Sequence, residues 1–179
     1  MRITYQSLPE SGAAHLTELS LSLDRLKQEH DELMQVLVEL ENKAKQVEQE
    51  DDTDTAIRLL LHLRLWTHAF KEELERHSNW EEKELFPFLN RYFRRQSAPS
   101  IIASFWTMEK DHELAADYLQ SFLRAVHMAR RDTEIERLHQ TALYLIHACR
   151  ILKEHLEKEE RLIFPMTEEV LTDMDYLFS

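Results

Sequence analysis

The sequence predicts an all-α protein, an up-down-up-down four-helix bundle, on three observations. Among 179 residues Gly12 is the only glycine and there are four prolines, whereas a sheet protein of this length needs many more turn residues. Apolar residues recur in steps of three and four through four long stretches, as one face of a helix requires. Short polar segments separate those stretches, and short connections make sequential helices antiparallel neighbours.

Each element follows in order. Residues 1–15 hold Pro9 and Gly12 with little pattern and are expected to form an N-terminal arm. The first stripe is Leu16, Leu19, Leu23, Leu26, His30, Leu33, Leu37, Leu40, Ala44 and Val47, apolar except for His30. The acidic run Glu50–Asp54 ends it and supplies N-cap residues for the second helix. That helix carries Ala56, Leu60, Leu63, Thr67, Phe70, Leu74, His77, Glu81 and Leu85 on one face. Pro87 is expected to kink or end it, because proline lacks the helical N–H and clashes with the preceding turn. A short continuation should reach about Arg95.

Ser97 and Pro99 have the placement of a cap and a first-turn proline for the third helix, striped by Ile101, Phe105, Met108, His112, Ala115, Leu119, Phe122 and Val126. Thr133 and Glu136 have the spacing of a capping box. The fourth helix shows Ile135, Leu138, Ala142, Leu145, Cys149, Leu152, His155, Glu159 and Leu162 on one face, with Pro165 expected to perturb its end. The organisation expected is one domain over residues 16–172, followed by a short tail over 173–179.

Composition removes several function classes. The net charge is −12, from 34 acidic and 22 basic residues, which disfavours a nucleic-acid surface, since phosphate neutralisation needs clustered Lys and Arg. Arg91, Arg94 and Arg95 form one small basic cluster, read as a helix end. With Cys149 alone, neither a disulfide framework nor a cysteine-cluster zinc site can form within the chain. No signal peptide or membrane span is visible, so a cytoplasmic location is the default expectation.

The segment from His77 to Pro87 recurs from His155 to Pro165. Each copy has a histidine, consecutive acids four and five residues on (Glu81-Glu82, Glu159-Glu160), and then Phe-Pro. A histidine and a glutamate four apart lie about 40° apart around a helix, so both face one way. An isolated histidine, His30 or His112, precedes each copy at a similar distance. Counting from the loops at ~1.5 Å per residue puts all four histidines at one height, with Glu81 and Glu159 about one turn further along.

A lone histidine in an apolar stripe is more often a hydrogen-bonded core residue than a ligand, and helix glutamates are usually solvated, as expected for Glu82, Glu84 and Glu160. Six polar groups converging in one layer are different. Each left unsatisfied would cost roughly 1–3 kcal/mol in a domain worth only ~5–15 kcal/mol. A pair of metal ions would satisfy all six, so His30, His77, Glu81, His112, His155 and Glu159 are the expected ligands. The alternative without metal is a helical interaction module with core histidines. Of the other histidines, His62 and His147 are expected on the ligand side two to four turns from the layer, with a core or supporting role only as the less favoured alternative, and His15, His68, His127 and His139 at the surface. Cys149 is expected to be a small core residue, and Tyr144, Trp80 and Trp106 to pack, with a place bordering the site as the alternative for the tryptophans.

Imidazole with carboxylate suits iron, manganese or zinc. The ferritin-like carboxylate site uses two Glu-x-x-His pairs. Only Glu109–His112 matches among the candidate ligands, which disfavours that class.

The doubled His-x3-Glu motif with a histidine before each half resembles the hemerythrin-like (HHE cation-binding) family, from about residue 16 to 170. The resemblance implies a hemerythrin-like bundle with two iron ions bridged by an oxo or hydroxo group. His30 and His77 would hold one iron, His112 and His155 the other, and Glu81 and Glu159 would bridge them. Oxygen-carrying hemerythrins have a further histidine one turn away on the third helix, whereas Met108 and Ala116 stand there in this chain. That leaves an open place on each iron. The ligand set is most similar to the di-iron domain of bacterial Repair of Iron Centres proteins, whose cysteine-containing N-terminal domain has no counterpart in the short arm. The function implied is binding of, or reaction with, O2, NO or peroxide in oxidative or nitrosative stress. Iron storage or donation, iron-centre repair, and enzymatic turnover of peroxide or nitric oxide are the alternatives. The partners implied are a small ligand and an electron donor or apo-protein acceptor, with neither nucleic acid nor membrane.

Overall fold

The computed structural model describes the backbone of residues 11–94 and 100–178 and the side chains of residues 20–93 and 103–173. These residues are helical apart from two short connections, and form α1 (Ser11–Glu48), α2 (Thr53–Trp80), a π turn (Glu81–Leu85), α3 (Phe86–Arg94), α4 (Ser100–Met128) and α5 (Ile135–Phe178). The segment α2–π–α3 acts as one rod. With α1, α4 and α5 it makes the all-α four-helix bundle, its helices packed around the perimeter in the order α1, α2, α4, α5 and back to α1. No helix among the described residues is long and apolar enough to cross a membrane.

Several expectations about helix ends change. Residues 11–15 are already helical, so only residues 1–10 remain for an arm, and they lie outside the described residues, as do Ser97 and Pro99. Asp52 is the N-cap of α2, its carboxylate accepting from Thr55 N–H at 2.8 Å. Thr133 does not close a capping box; its hydroxyl oxygen accepts from Arg130 N–H at 2.8 Å and shapes the turn instead. Residues 173–178, within the short tail expected, form the last turns of α5.

Neither proline ends its helix. Pro165 sits inside α5, where burial of Ile163, Met166 and Val170 on both sides of it offsets the one hydrogen bond it removes. Before Pro87 the backbone widens into the π turn, closed by Phe86 N–H donating to Glu81 O. A π turn carries one extra residue, and it makes room for a proline ring that would otherwise strike the carbonyl four residues back.

Every described member of the four stripes is buried except Ile135 and Leu162, which are half-buried at their ends. The apolar core forms two clusters. The larger lies toward the α1–α2 and α4–α5 turns and includes Leu37, Leu40, Leu60, Leu119, Phe122 and Leu145. The smaller joins Leu26, Leu85, Phe86, Leu89, Phe105 and Ile163 at the other end. On each helix the expected ligands fall between the two: His30 between Leu26 and Leu33, His112 between Met108 and Ala115, and each His-x3-Glu pair likewise.

One buried charge ties α1 to α5. Glu41, 5% exposed, pairs with Lys45 at 2.7 Å, Arg150 at 3.4 Å and Lys153. Burial would raise its pKa, but the lysines outweigh that and lower it to about 2. Its contribution is therefore present above the usual carboxylate range and lost as pH falls toward 2. Glu41→Ala is expected to cost about 1–3 kcal/mol, read as a lower thermal midpoint at pH 7, with the deficit shrinking below pH 4.

Candidate metal centre

The layer between the two apolar clusters is polar and buried. His30, His155, Glu81 and Glu159 are fully buried, His77 is 3% exposed and His112 is 8% exposed. The four helices bring all six residues together, and the atoms fall into two sets. One offers His30, His77, Glu81 and Glu159, the other His112, His155, Glu81 and Glu159, and within each set the ligand atoms lie inside 4.8 Å of one another. Both glutamates belong to both sets. Glu159 Oε1 is 3.2 Å from His155 Nε2 while its Oε2 is 3.3 Å from His30 Nε2. Glu81 Oε1 is 3.2 Å from His77 Nε2 and its Oε2 is 3.8 Å from His112 Nε2. Each carboxylate turns one oxygen toward each set, the disposition of a bridging ligand.

The inward atoms have no hydrogen bonds. The Nε2 of all four histidines and both carboxylate oxygens of Glu81 and Glu159 are buried without a partner. Native interiors rarely leave polar atoms unsatisfied, and here eight of them point at one centre. Cations at that centre would satisfy them, and imidazole with carboxylate is a donor set for iron, manganese or zinc.

Without an ion the layer holds protons. Burial would depress the pKa of His30 and His155, but Glu159 and Glu81, joined at His155 by Asp111, outweigh it and push the two to about 9 and about 10. His77 is raised against its own burial by Glu81 and Glu29. Glu159 is driven the opposite way: burial would raise it, and His155 and His30 hold it well below the carboxylate range.

Over residues 21–167 the sequence matches the hemerythrin HHE cation binding domain. The chain belongs to the hemerythrin HHE cation-binding family. It is thus a hemerythrin-like, metal-binding protein, as its repeated motif implied, and the histidine–glutamate clusters are where this hemerythrin-like bundle can hold ions. Neither curated proteins nor solved structures give a match.

Other sequence-based expectations are corrected. His62 and His147 are exposed, against Trp66 and Tyr118 respectively, and take no part in the layer. His139 is half-buried rather than at the surface, its Nε2 2.8 Å from Glu50 O, so that it pins the start of α5 to the α1–α2 turn. Trp106 is 60% exposed, away from the site, and Trp80 packs on the smaller cluster. His68 and His127 are exposed and Cys149 is buried, as expected, its thiol pushed by burial to about 12 and inert. The side chain of His15 lies outside the described residues.

Glu82 is not a solvated bystander. It is 36% exposed and its Oε1 lies 2.9 Å from His112 Nδ1. The second acid of the other copy, Glu160, is 42% exposed with its Oε1 3.7 Å from His30 Nδ1. Two further acids escaped the sequence reading: Glu29, 3.1 Å from His77 Nδ1, and Asp111, 3.7 Å from His155 Nδ1. The signal was an acid immediately before each isolated histidine. The Phe of each repeat also has a place. Phe164 packs on the His30 ring at 4.9 Å between centroids, and Phe86 stacks on Phe105 beneath the layer.

Proposed function

We propose that this hemerythrin-like protein is a non-haem di-iron protein that binds, or reacts with, a small ligand such as O2, NO or peroxide. His30 and His77 would hold one iron, His112 and His155 the other, and Glu81 and Glu159 would bridge the pair. The observation that carries this reading is the pair of atom sets sharing both glutamates. A protein holding one ion, or two unrelated ions, has no use for two carboxylates each split between two histidine pairs.

The positions one turn either side of His112 favour reaction over simple carriage. Met108 is buried and apolar, and Ala116 is exposed with no donor. Among the described residues no additional imidazole closes either set, so a coordination place on each ion would be left to solvent or ligand. The chain's contribution is to fix the imidazoles at Nε2, supply bridging charge, and exclude bulk water with the apolar residues above and below. Bound iron would supply the redox and Lewis-acid chemistry. Burial of all six ligands argues against ready storage and donation, which needs a donor set that a receiving protein can reach.

The test is iron content and the visible spectrum of the purified protein, with and without azide, oxygen or nitric oxide. About two irons per chain and ligand-dependent bands are expected. A wild-type content near zero, or full loading of a His77→Ala/His155→Ala double variant, would sink the reading. Steady-state assays with peroxide and nitric oxide then separate stoichiometric binding, seen as one spectral change, from turnover with an electron donor.

A further inference from the structure

Around the six inward residues the outward nitrogens of the four histidines meet four more acids in a cyclic order. Glu29 of α1 lies against His77 of α2, Glu82 of the π turn against His112 of α4, Asp111 of α4 against His155 of α5, and Glu160 of α5 against His30 of α1. Each rod thus presents an acid to the histidine of the next rod round the bundle. The four contacts are unequal. The two that involve the α2–π–α3 rod are hydrogen bonds, at 3.1 and 2.9 Å. The two that involve α5 are both 3.7 Å, beyond hydrogen-bond range. Asp111 also shares its charge with Lys158 at 2.8 Å.

The repeated segment makes the cause visible. Glu82 and Glu160 occupy the same position of the motif, yet only Glu82 sits in a π turn. A regular helix turns ~100° per residue, so an acid beside an inward residue can reach only sideways to the next rod, as Glu29 beside His30 does in α1. In α5, where the helix stays regular, Glu159 faces the centre and Glu160 stops 3.7 Å from His30 Nδ1, outside hydrogen-bond range. In the other copy the extra residue of the π turn widens the backbone between Glu81 and Leu85, and Glu81 and Glu82 both serve the layer.

We propose that Glu82 is a positioning residue for His112, delivered by the π turn, and that its counterpart Glu160 does not do the same for His30. Glu82 accepts the Nδ1–H of His112, which fixes the ring's orientation and leaves Nε2 free and basic toward the ion. His112 needs this most, since it is the most exposed of the four histidines and its Nε2 stands farthest from a bridging oxygen. The two copies of one motif therefore differ in what holds their neighbour's ligand. This rests on His112 being a ligand, the reading proposed above.

The experiment measures iron affinity by chelator competition, the visible spectrum, and the thermal midpoint of the metal-free protein. The variants are Glu82→Ala, Glu82→Gln, Glu160→Ala and, as a control for charge alone, Glu84→Gln at an exposed position of the same turn. Loss of an outer carboxylate from a ligating histidine typically weakens metal binding about 10–100-fold, and that is the loss expected for Glu82→Ala. It should come with shifted bands, while Glu82→Gln, which keeps an acceptor in reach, should stay within a few-fold of wild type. Glu160→Ala should lose less than Glu82→Ala, and Glu84→Gln should match wild type. Equal losses in Glu82→Ala and Glu160→Ala, wild-type affinity in Glu82→Ala, or a loss tracking only a lower metal-free midpoint would overturn the assignment. If wild type itself binds no iron, the di-iron reading fails instead, and the two failures are told apart by the wild-type measurement.

Discussion

Under the di-iron reading, replacing either shared glutamate, Glu81→Ala or Glu159→Ala, is expected to abolish binding of both ions, a larger effect than removing any one histidine. The geometry gives the reason. His30 and His77 face one set of atoms and His112 and His155 the other, but Glu81 and Glu159 turn an oxygen toward each. A lost histidine costs one ion one donor, whereas a lost glutamate costs both ions a donor and leaves two positive charges facing each other with half their bridging anion. Elemental analysis of the two glutamate variants beside His30→Ala and His112→Ala checks the order. Histidine variants should retain part of the metal, and the glutamate variants close to none. Equal retention in all four would show that the glutamates do not bridge.

Chelation should destabilise the fold strongly, and more so as pH rises. An ion present at a thousand times its dissociation constant stabilises the native state by ~4 kcal/mol. At roughly 2–4 °C per kcal/mol for a chain of this size, even one such ion raises the midpoint by about 8–16 °C. The pH dependence follows from the protons that stand in for the ions. In the metal-free layer His30 and His155 titrate near 9 and 10, well above the ordinary imidazole value. A raised pKa stabilises fully below the unfolded value of ~6.5 and is lost as pH climbs through the folded one. The metal-free midpoint should therefore fall between about pH 6.5 and 10, while that of the loaded protein, whose histidines carry no proton at Nε2, should stay level over the same range. Scanning calorimetry with and without chelator at several pH values would decide it. A gap that does not widen would mean that the histidines are neutral without metal.

Most of this architecture could be read from the stripes, because a bundle has one dominant rule: the residue facing the centre is apolar or has a reason not to be. His30, His77, Glu81, His112, His155 and Glu159 stood out as exceptions to that rule, and the structure gathers all six. What could not be read depended on the backbone leaving a regular helix. Counting at a fixed ~100° per residue assigns Glu82 to solvent, as it correctly does for Glu84, because nothing in that arithmetic foresees a π turn. The same arithmetic was applied too loosely to His62 and His147. They lie about 60° and 80° around the helix from His77 and His155, enough to put both outside. Glu29 and Asp111 were passed over for a different reason. An acid next to a ligand points ~100° away from it, and its use is visible only when the neighbouring helix is in place. Pro165 was judged by local propensity, which burial of the apolar residues around it overrides.

The position of the polar layer, with an apolar cluster above and another below, has a consequence for how the protein moves. A continuous core opens as one cooperative unit, but a core interrupted by a plane of buried carboxylates and imidazoles, whose inward atoms have no hydrogen-bond partner, has a seam. In the metal-free chain the smaller cluster, with Leu26, Leu85, Leu89 and Ile163, can loosen without unravelling the larger one, as a sub-global opening of lower free energy. Ions at the seam would rivet the two halves through four helices at once. Metal would then act as the closure between two hinged shells, and the end of the bundle that responds to its arrival is the one built from α3, the start of α4 and the last turns of α5.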